Sequence, residues 1–178
     1  MSSKTPSTPS SSQSKTHSYR LFLDLDGVLA HFDQGIYRIT GSFPHQITVR
    51  ELWKAASKAD GFFTHLPWMP DGRVLWEATC GLSPTILTGL PLGNWAEPQK
   101  RAWCTRELGP DVPVITCMAR DKIKHAKAIL KKGEIPVLVD DRPKHRPLWH
   151  DGGGIFIHHT SVQNSLKALE DLGFLLNQ

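Results

Sequence analysis

Cysteine is scarce in this chain. Cys80, Cys104 and Cys117 are the only three in 178 residues, an odd number with no Cys-x-x-Cys pair. That argues against a disulfide framework or a thiolate zinc site. It fits reduced, mostly buried thiols of an intracellular protein, expected to be cytoplasmic. Long apolar runs are lacking as well. No stretch approaches the ~20 residues that span a bilayer, and no apolar core of a secretory signal is present, so no membrane association is expected. There is no P-loop pattern and no internal repeat. Residues 1–18 lack acids, arginine and any apolar periodicity, being almost entirely Ser, Thr, Pro, Lys and Gln. Such a segment cannot bury enough surface to order itself, so a disordered tail is expected there and a single domain over 19–178. The charge excess is small, with 21 Lys and Arg against 17 Asp and Glu, a formal +4. It suits anionic ligands without marking a nucleic-acid surface.

What the chain does have begins at Tyr19-Arg20-Leu21-Phe22-Leu23-Asp24-Leu25-Asp26-Gly27-Val28. An apolar run that reads as a buried strand ends in two carboxylates one residue apart, followed by glycine. Two acids at a strand's C-terminal edge are costly unless a cation or a reaction uses them. Side chains at i and i+2 share a face while the strand continues, but Gly27 lets the chain turn. Asp24 can then face a substrate above the sheet while Asp26 approaches from the side, an arrangement suited to a nucleophile beside an acid/base.

Four more short apolar runs read as strands: Thr85 to Thr88, Val112 to Cys117, Ile135 to Val139, and Gly154 to His158. Helical patterns separate them. One follows Ala96, one follows Asp121 as a cap and carries Ile123, Ala126, Ile129 and Leu130, and one follows Ser161. The alternation predicts an α/β fold in three layers, a parallel sheet of about five strands covered by helices. About fifty residues, from His31 to Cys80, separate the first two strands, far more than one crossover requires. Asp71 to Thr79 reads as the crossover helix. A small helical cap is expected at about 33–70, including a helix over Thr48 to Lys58.

In open parallel sheets ligands sit beyond the strands' C-terminal ends, and polar residues gather there: Asp24 and Asp26, then Thr88 and Gly89, then Lys122, then Asp140 and Asp141. A carboxylate attacking phosphorus needs the substrate's charge neutralised, which a magnesium ion and a lysine supply. The Thr88 hydroxyl and Gly89 N–H are placed to hold phosphate oxygens. Two displacements through an acyl phosphate divide the hydrolysis, with Asp26 first giving and then taking a proton.

Asp24-Leu25-Asp26-Gly27-Val28, Thr88, Lys122 and Asp140-Asp141 resemble motifs I to IV of the haloacid dehalogenase (HAD) superfamily of phosphatases, over about residues 19–175. The resemblance implies Asp24 as nucleophile, Asp26 as acid/base, and Thr88 and Lys122 as phosphate holders. It also implies Mg2+ held by Asp24, the Asp26 carbonyl and Asp141, with Asp140 in support. Asp24 to Asp33, Arg120-Asp121-Lys122 and Val139 to Pro143 are similar to the 5'(3')-deoxyribonucleotidase branch. Trp149 and Gly152 to His159 resemble small uncharacterised microbial relatives. Leu87-Thr88-Gly89-Leu90-Pro91 departs from that branch's Thr-Ser pair, and the stretch from Lys122 to Asp140 is longer. Lys124 and Lys127 are therefore alternatives to Lys122.

The expected reaction is Mg2+-dependent hydrolysis of a small phosphomonoester, a nucleoside monophosphate by preference. Alternatives are a phosphatase of nucleic-acid ends or another macromolecule, and a non-catalytic phospholigand-binding module. His31, just past motif I, is a candidate substrate contact. Trp53, Phe62, Phe63 and Trp68 either stack on a base or form the cap's own core. His158-His159 reads as structural or surface-exposed, and Cys117 as a buried strand residue.

Overall fold

The computed structural model describes residues 18–177. The expected disordered tail falls almost wholly outside them, although its last residue, Ser18, opens the first strand. Strand β1 (Ser18–Leu23) is followed by α1 (Phe32–Thr40), α2 (Val49–Lys58) and α3 (Gly72–Thr79). Then come β2 (Thr85–Gly89), α4 (Ala96–Glu107), β3 (Val114–Cys117), α5 (Lys122–Ala128), β4 (Glu134–Asp140), α6 (Arg146–Asp151), β5 (Ile155–His158) and α7 (Val162–Asp171). The strands pair in parallel in the order β3-β2-β1-β4-β5. This is the Rossmann-like, three-layer arrangement expected from the alternating pattern. No helix among the described residues is long and apolar enough to cross a membrane.

Register explains why the central residues of the inner strands are apolar on both faces. Phe22 lies beside Leu138, and Leu138 beside Phe156; Leu23 lies beside Val139 and Ile86, and Val139 beside Ile157. Successive side chains point to opposite faces. Phe22, Leu87, Leu138 and Phe156 pack with Ala126 of α5 and Trp149 of α6. Leu23, Ile86, Val139 and Ile157 belong to the larger core with Leu75 of α3 and Leu169 of α7. Both faces are covered, as parallel sheets require.

The cap expected at Ser161 is present, and Thr48 caps α2 as well. Thr48 Oγ1 accepts from Glu51 N while Glu51 returns to Thr48 N, a capping box that starts α2. Ser161 Oγ accepts from Asn164 N and starts α7. Asp121 makes no side-chain cap; it lies in the turn before α5, its carboxylate 3.9 Å from Arg120 Nε. Nor does α5 reach Ile129 and Leu130. The amides of these two residues reach back only three residues, to Ala126 and Lys127, and that tightened turn ends the helix. Strand β3 starts at Val114 rather than Val112.

Helix α1 is unforeseen. Its apolar face is short, Phe32 and Ile36, and Gly35 interrupts it because Leu66 packs where a side chain would stand. With α2 it forms the helical insertion between β1 and the crossover helix α3. The interior of that insertion is aromatic: Phe32 lies 5.7 Å from Phe62, 6.1 Å from Phe63 and 5.7 Å from Trp53, centroid to centroid. Phe62 and Phe63 are therefore core residues of the insertion.

Candidate active site

The order of the sheet reverses at β1. The chain leaves β1 for β2 and β3 on one side, then crosses to β4 and β5 on the other. The crevice beyond the C-terminal ends of β1 and β4 is thus the place for a ligand. Asp24 follows β1 there, its N–H donating to Val139 O at 2.9 Å, and Asp140 ends β4 alongside.

Lys122, the first residue of α5, enters between them. Its Nζ lies 2.8 Å from Asp24 Oδ2 and 2.6 Å from Asp140 Oδ2. Lys124 and Lys127, the alternatives, are exposed. Asp24 Oδ1 accepts from Leu25 N, and Asp140 Oδ1 from Arg142 N, each at 2.8 Å. Burial alone would raise Asp24, but the Lys122 ammonium, with Lys100 and the Leu25 N–H, outweighs it and holds the carboxyl below its ordinary value. Burial alone would likewise lower Lys122; Asp24 and Asp140 outweigh it and keep the ammonium charged.

The other carboxylates are held less well. Burial, then the charge of Asp24, pushes Asp140 up to about 6. Burial with Asp24 and Asp140 pushes Asp141 up to about 7. Asp141 Oδ1 is buried without a hydrogen-bond partner among the described residues. Oxygens of Asp24, Asp140 and Asp141 lie within 4.8 Å of one another, close enough to share a cation. Gly27, at φ +76°, makes room for this group, since a Cβ there would stand 2.4 Å from Asp141 Oδ2.

Asp24, Asp26, Gly89, Lys122 and Asp140 line a cavity of 70 Å³ together with Trp53, Leu90, Pro91, Ala119, Arg142 and His145. That is room for a compact anion. Thr88 is not on its wall. Its side chain is fully buried, and its hydroxyl accepts from Lys100 Nζ at 3.0 Å. His31 is absent from this cavity too. It borders a neighbouring one of 150 Å³, with Asp26, Gly27, Asp33 and Asp141, and its Nδ1 caps α1 by accepting from Gln34 N at 3.3 Å.

Lys100 is the residue that the sequence reading missed. It is 0% exposed, and its Nζ donates to Asp26 Oδ2 at 2.5 Å. A signal was there: Ala96, Lys100, Trp103 and Cys104 are the buried positions of α4, at helical spacing, so the lysine stands on the inward stripe. Burial holds Asp26 above the ordinary carboxylate value despite Lys100, and Asp24 adds to the rise.

His158 and His159 are structural: His158 Nε2 meets Asp141 O at 3.2 Å, and buried His159 Nδ1 meets Ser165 Oγ at 2.8 Å. Cys117 is buried, and that burial pushes its thiol up to about 11, away from nucleophile chemistry.

No protein-family model and no curated protein matches this chain. Among solved structures, a hydrolase from Streptococcus pneumoniae TIGR4 is similar, with a TM-score of 0.53 at 10% identity. The alignment covers 86% of this chain and 99% of that one. At such identity the likeness speaks for the fold.

Proposed function

We propose that this protein is an HAD-type phosphomonoester hydrolase that works through an aspartyl phosphate on Asp24. The observation that carries this reading is the state of Asp24. It is a buried carboxylate kept ionised by Lys122 at 2.8 Å, at the switch point of the sheet, on the wall of an anion-sized cavity. A lysine held this way neutralises an incoming phosphoryl group as well as its own partners. The hydrolase fold-mate is in keeping with this reading.

In the first step an Asp24 carboxylate oxygen bonds to phosphorus as the ester bond breaks, and Asp26 gives a proton to the departing oxygen. In the second step Asp26 takes a proton from water, whose oxygen attacks phosphorus and frees Asp24. Gly89 and Lys122 border the space for the phosphoryl oxygens.

The residues fit a magnesium ion. Four carboxylates, Asp24, Asp26, Asp140 and Asp141, face two buried ammonium groups, Lys100 and Lys122. The carboxyl groups outnumber the ammonium groups even with Asp26 protonated for the first step, and that excess, with the Asp141 oxygen that has no partner among the described residues, suits a divalent cation with oxygen ligands. Asp24 and Asp141 with the Asp26 carbonyl would hold it. Asp140, whose two oxygens are already engaged by Lys122 and Arg142 N, would support. When bound, the ion would neutralise the phosphoryl oxygens and polarise phosphorus.

A nucleoside monophosphate is the substrate class we favour. Trp53, Leu90 and Pro91 belong both to the small cavity and to an adjoining groove of 600 Å³, whose other walls include Val49, Leu92, Trp95 and Met118. A phosphate seated at Asp24 would leave a planar, weakly polar group lying on that surface. A second reading, a phosphatase of nucleic-acid ends, is favoured by exposed Arg142 on the wall of the site, with exposed Lys144 two residues on in the chain.

Turnover across nucleotides, sugar phosphates and 3'-phosphorylated oligonucleotides separates these readings. Hydrolysis is expected for mononucleotides with Mg2+, lost on addition of EDTA and abolished in Asp24→Asn with the fold intact. Oligonucleotides outpacing mononucleotides would favour the second reading. Unchanged turnover in Asp24→Asn would overturn the nucleophile. Binding of a phosphate ester with no hydrolysis would point to a phospholigand module.

A further inference from the structure

We propose that Lys100 is a positioning residue that aims Asp26 for its proton transfers and holds the Thr88 hydroxyl in place; the inference rests on the phosphatase reading of Asp24. Lys100 does not line the cavity, so it acts on the reaction only through these partners.

An ammonium group has three N–H donors, and Lys100 finds three partners. Its Nζ lies 2.5 Å from Asp26 Oδ2, 3.0 Å from Thr88 Oγ1 and 4.4 Å from the centroid of the Phe63 ring. Burying a lysine completely is expensive, and a hydrophobic residue of similar volume commonly serves a core as well or better. Stability alone therefore gives a poor reason for a lysine at this position.

The need becomes plain from Asp26. It lies beyond the end of β1 in a turn held by backbone bonds such as Gly27 N–H to Ala30 O at 2.9 Å, and these fix the main chain and not the rotation of the side chain. Lys100 supplies the hydrogen bond that holds the carboxylate, and it takes only one oxygen. Asp26 Oδ1 is buried with no partner among the described residues, and Asp26 lines the cavity. One oxygen is pinned and the other is left for the reacting proton. Thr88 is held by the same ammonium group. Its oxygen accepts from Lys100 at 3.0 Å, which fixes the hydroxyl behind the cavity wall.

Lys100 is itself firmly placed, because the same helix grips the return segment of the insertion. Gln99 Oε1 accepts from Phe63 N at 2.9 Å, Trp103 Nε1 donates to Leu66 O at 2.9 Å, and Trp68 Nε1 donates to Glu107 Oε2 at 2.7 Å. Throughout the reaction Lys100 keeps its protons. The proton moves between Asp26 Oδ1 and the leaving oxygen in the first step, and between water and Asp26 in the second.

The test compares two esters in Lys100→Met, Lys100→Arg and Asp26→Asn. An alkyl phosphate needs its leaving oxygen protonated, whereas 2,4-dinitrophenyl phosphate departs without a proton. General acid catalysis contributes roughly 100-fold to 10,000-fold. Lys100→Met should therefore lower kcat/KM for the alkyl ester at least about 100-fold more than for the activated ester. Asp26→Asn should show the same selectivity, and the double variant should lose little beyond either single one. Lys100→Arg should recover part of the loss. Equal losses on both esters, or none, would overturn the proposal.

Thermal unfolding provides a check free of turnover. Lys100→Met leaves Asp26 buried and unpaired, so its melting temperature should fall, and Asp26→Asn in that background should restore part of it. Additive effects would overturn the pairing. A wild-type enzyme that hydrolyses neither ester, with the pairing intact, would overturn the phosphatase reading and the positioning role with it.

Discussion

Asp141 is held in a state that its surroundings oppose. Gly27 lets the backbone pass close enough that a Cβ would strike its Oδ2, while Oδ1 has no hydrogen-bond partner among the described residues. Its carboxyl is pushed up to about 7 by burial and by Asp24 and Asp140. A carboxyl raised above its unfolded value stabilises the fold fully only below that unfolded value. The contribution is lost as pH rises through about 7. Asp141→Asn should thus stabilise the metal-free protein at pH 8, by roughly 1–2 kcal/mol after solvent screening. That corresponds to a rise of about 2–8 °C. The gain should vanish by about pH 4, where both forms are neutral, near the unfolded carboxylate pKa. Melting curves over pH 4–8 check both the sign and the window. An equal effect at every pH would count against the raised carboxyl.

At the scale of elements, α4 ties the insertion to the sheet. Gln99, Trp103 and Glu107 recur every four residues and meet residues 63–68 in turn, while Lys100 reaches the site. The loop after Asp26 is clipped to the same segment, with His31 N donating to Pro67 O at 2.8 Å and Met69 N to Leu29 O at 2.7 Å. Trp103→Phe removes the bond to the Leu66 carbonyl and part of a fully buried ring. It should cost about 1–3 kcal/mol in urea unfolding, because a buried carbonyl loses its donor and a small cavity opens. Helices such as α2 and α7 announce themselves locally, through Thr48 with Glu51 and through Ser161. Helix α1 does not, because Phe32 and Ile36 make too narrow a stripe and Gly35 is dictated by Leu66, thirty-one positions away.

For the molecule as a whole, the cation and the fold should be linked. A ligand that binds only the native state adds about 2.7 kcal/mol at 100 times its dissociation constant. For a domain of this size that is a rise of about 5–10 °C. Mg2+ should raise the melting temperature of the wild type and do so far less in Asp141→Asn. The concentration needed should increase between pH 8 and pH 6, because protons compete at Asp141, near 7, and at Asp140, near 6. Thermal titrations at the two pH values measure this. A pH-independent midpoint would place the cation elsewhere.

The strand-end carboxylates, the five strands and the parallel architecture were legible in the chain itself, because each is a local pattern. An apolar run ending in Asp24-x-Asp26-Gly27 or Asp140-Asp141 says where a strand stops and which chemistry waits there. Only the tertiary structure decided that Lys122 and not Lys124 or Lys127 enters the site, since helix phase follows from where α5 starts. It also drew Thr88 behind the cavity wall, gave His31 to a neighbouring cavity, and set Lys100 against Asp26 across seventy-four positions. The physical reason is common to all four. A side chain's neighbours are chosen by packing between distant segments, and a polar residue on an inward stripe reveals its use only when its partner is in place.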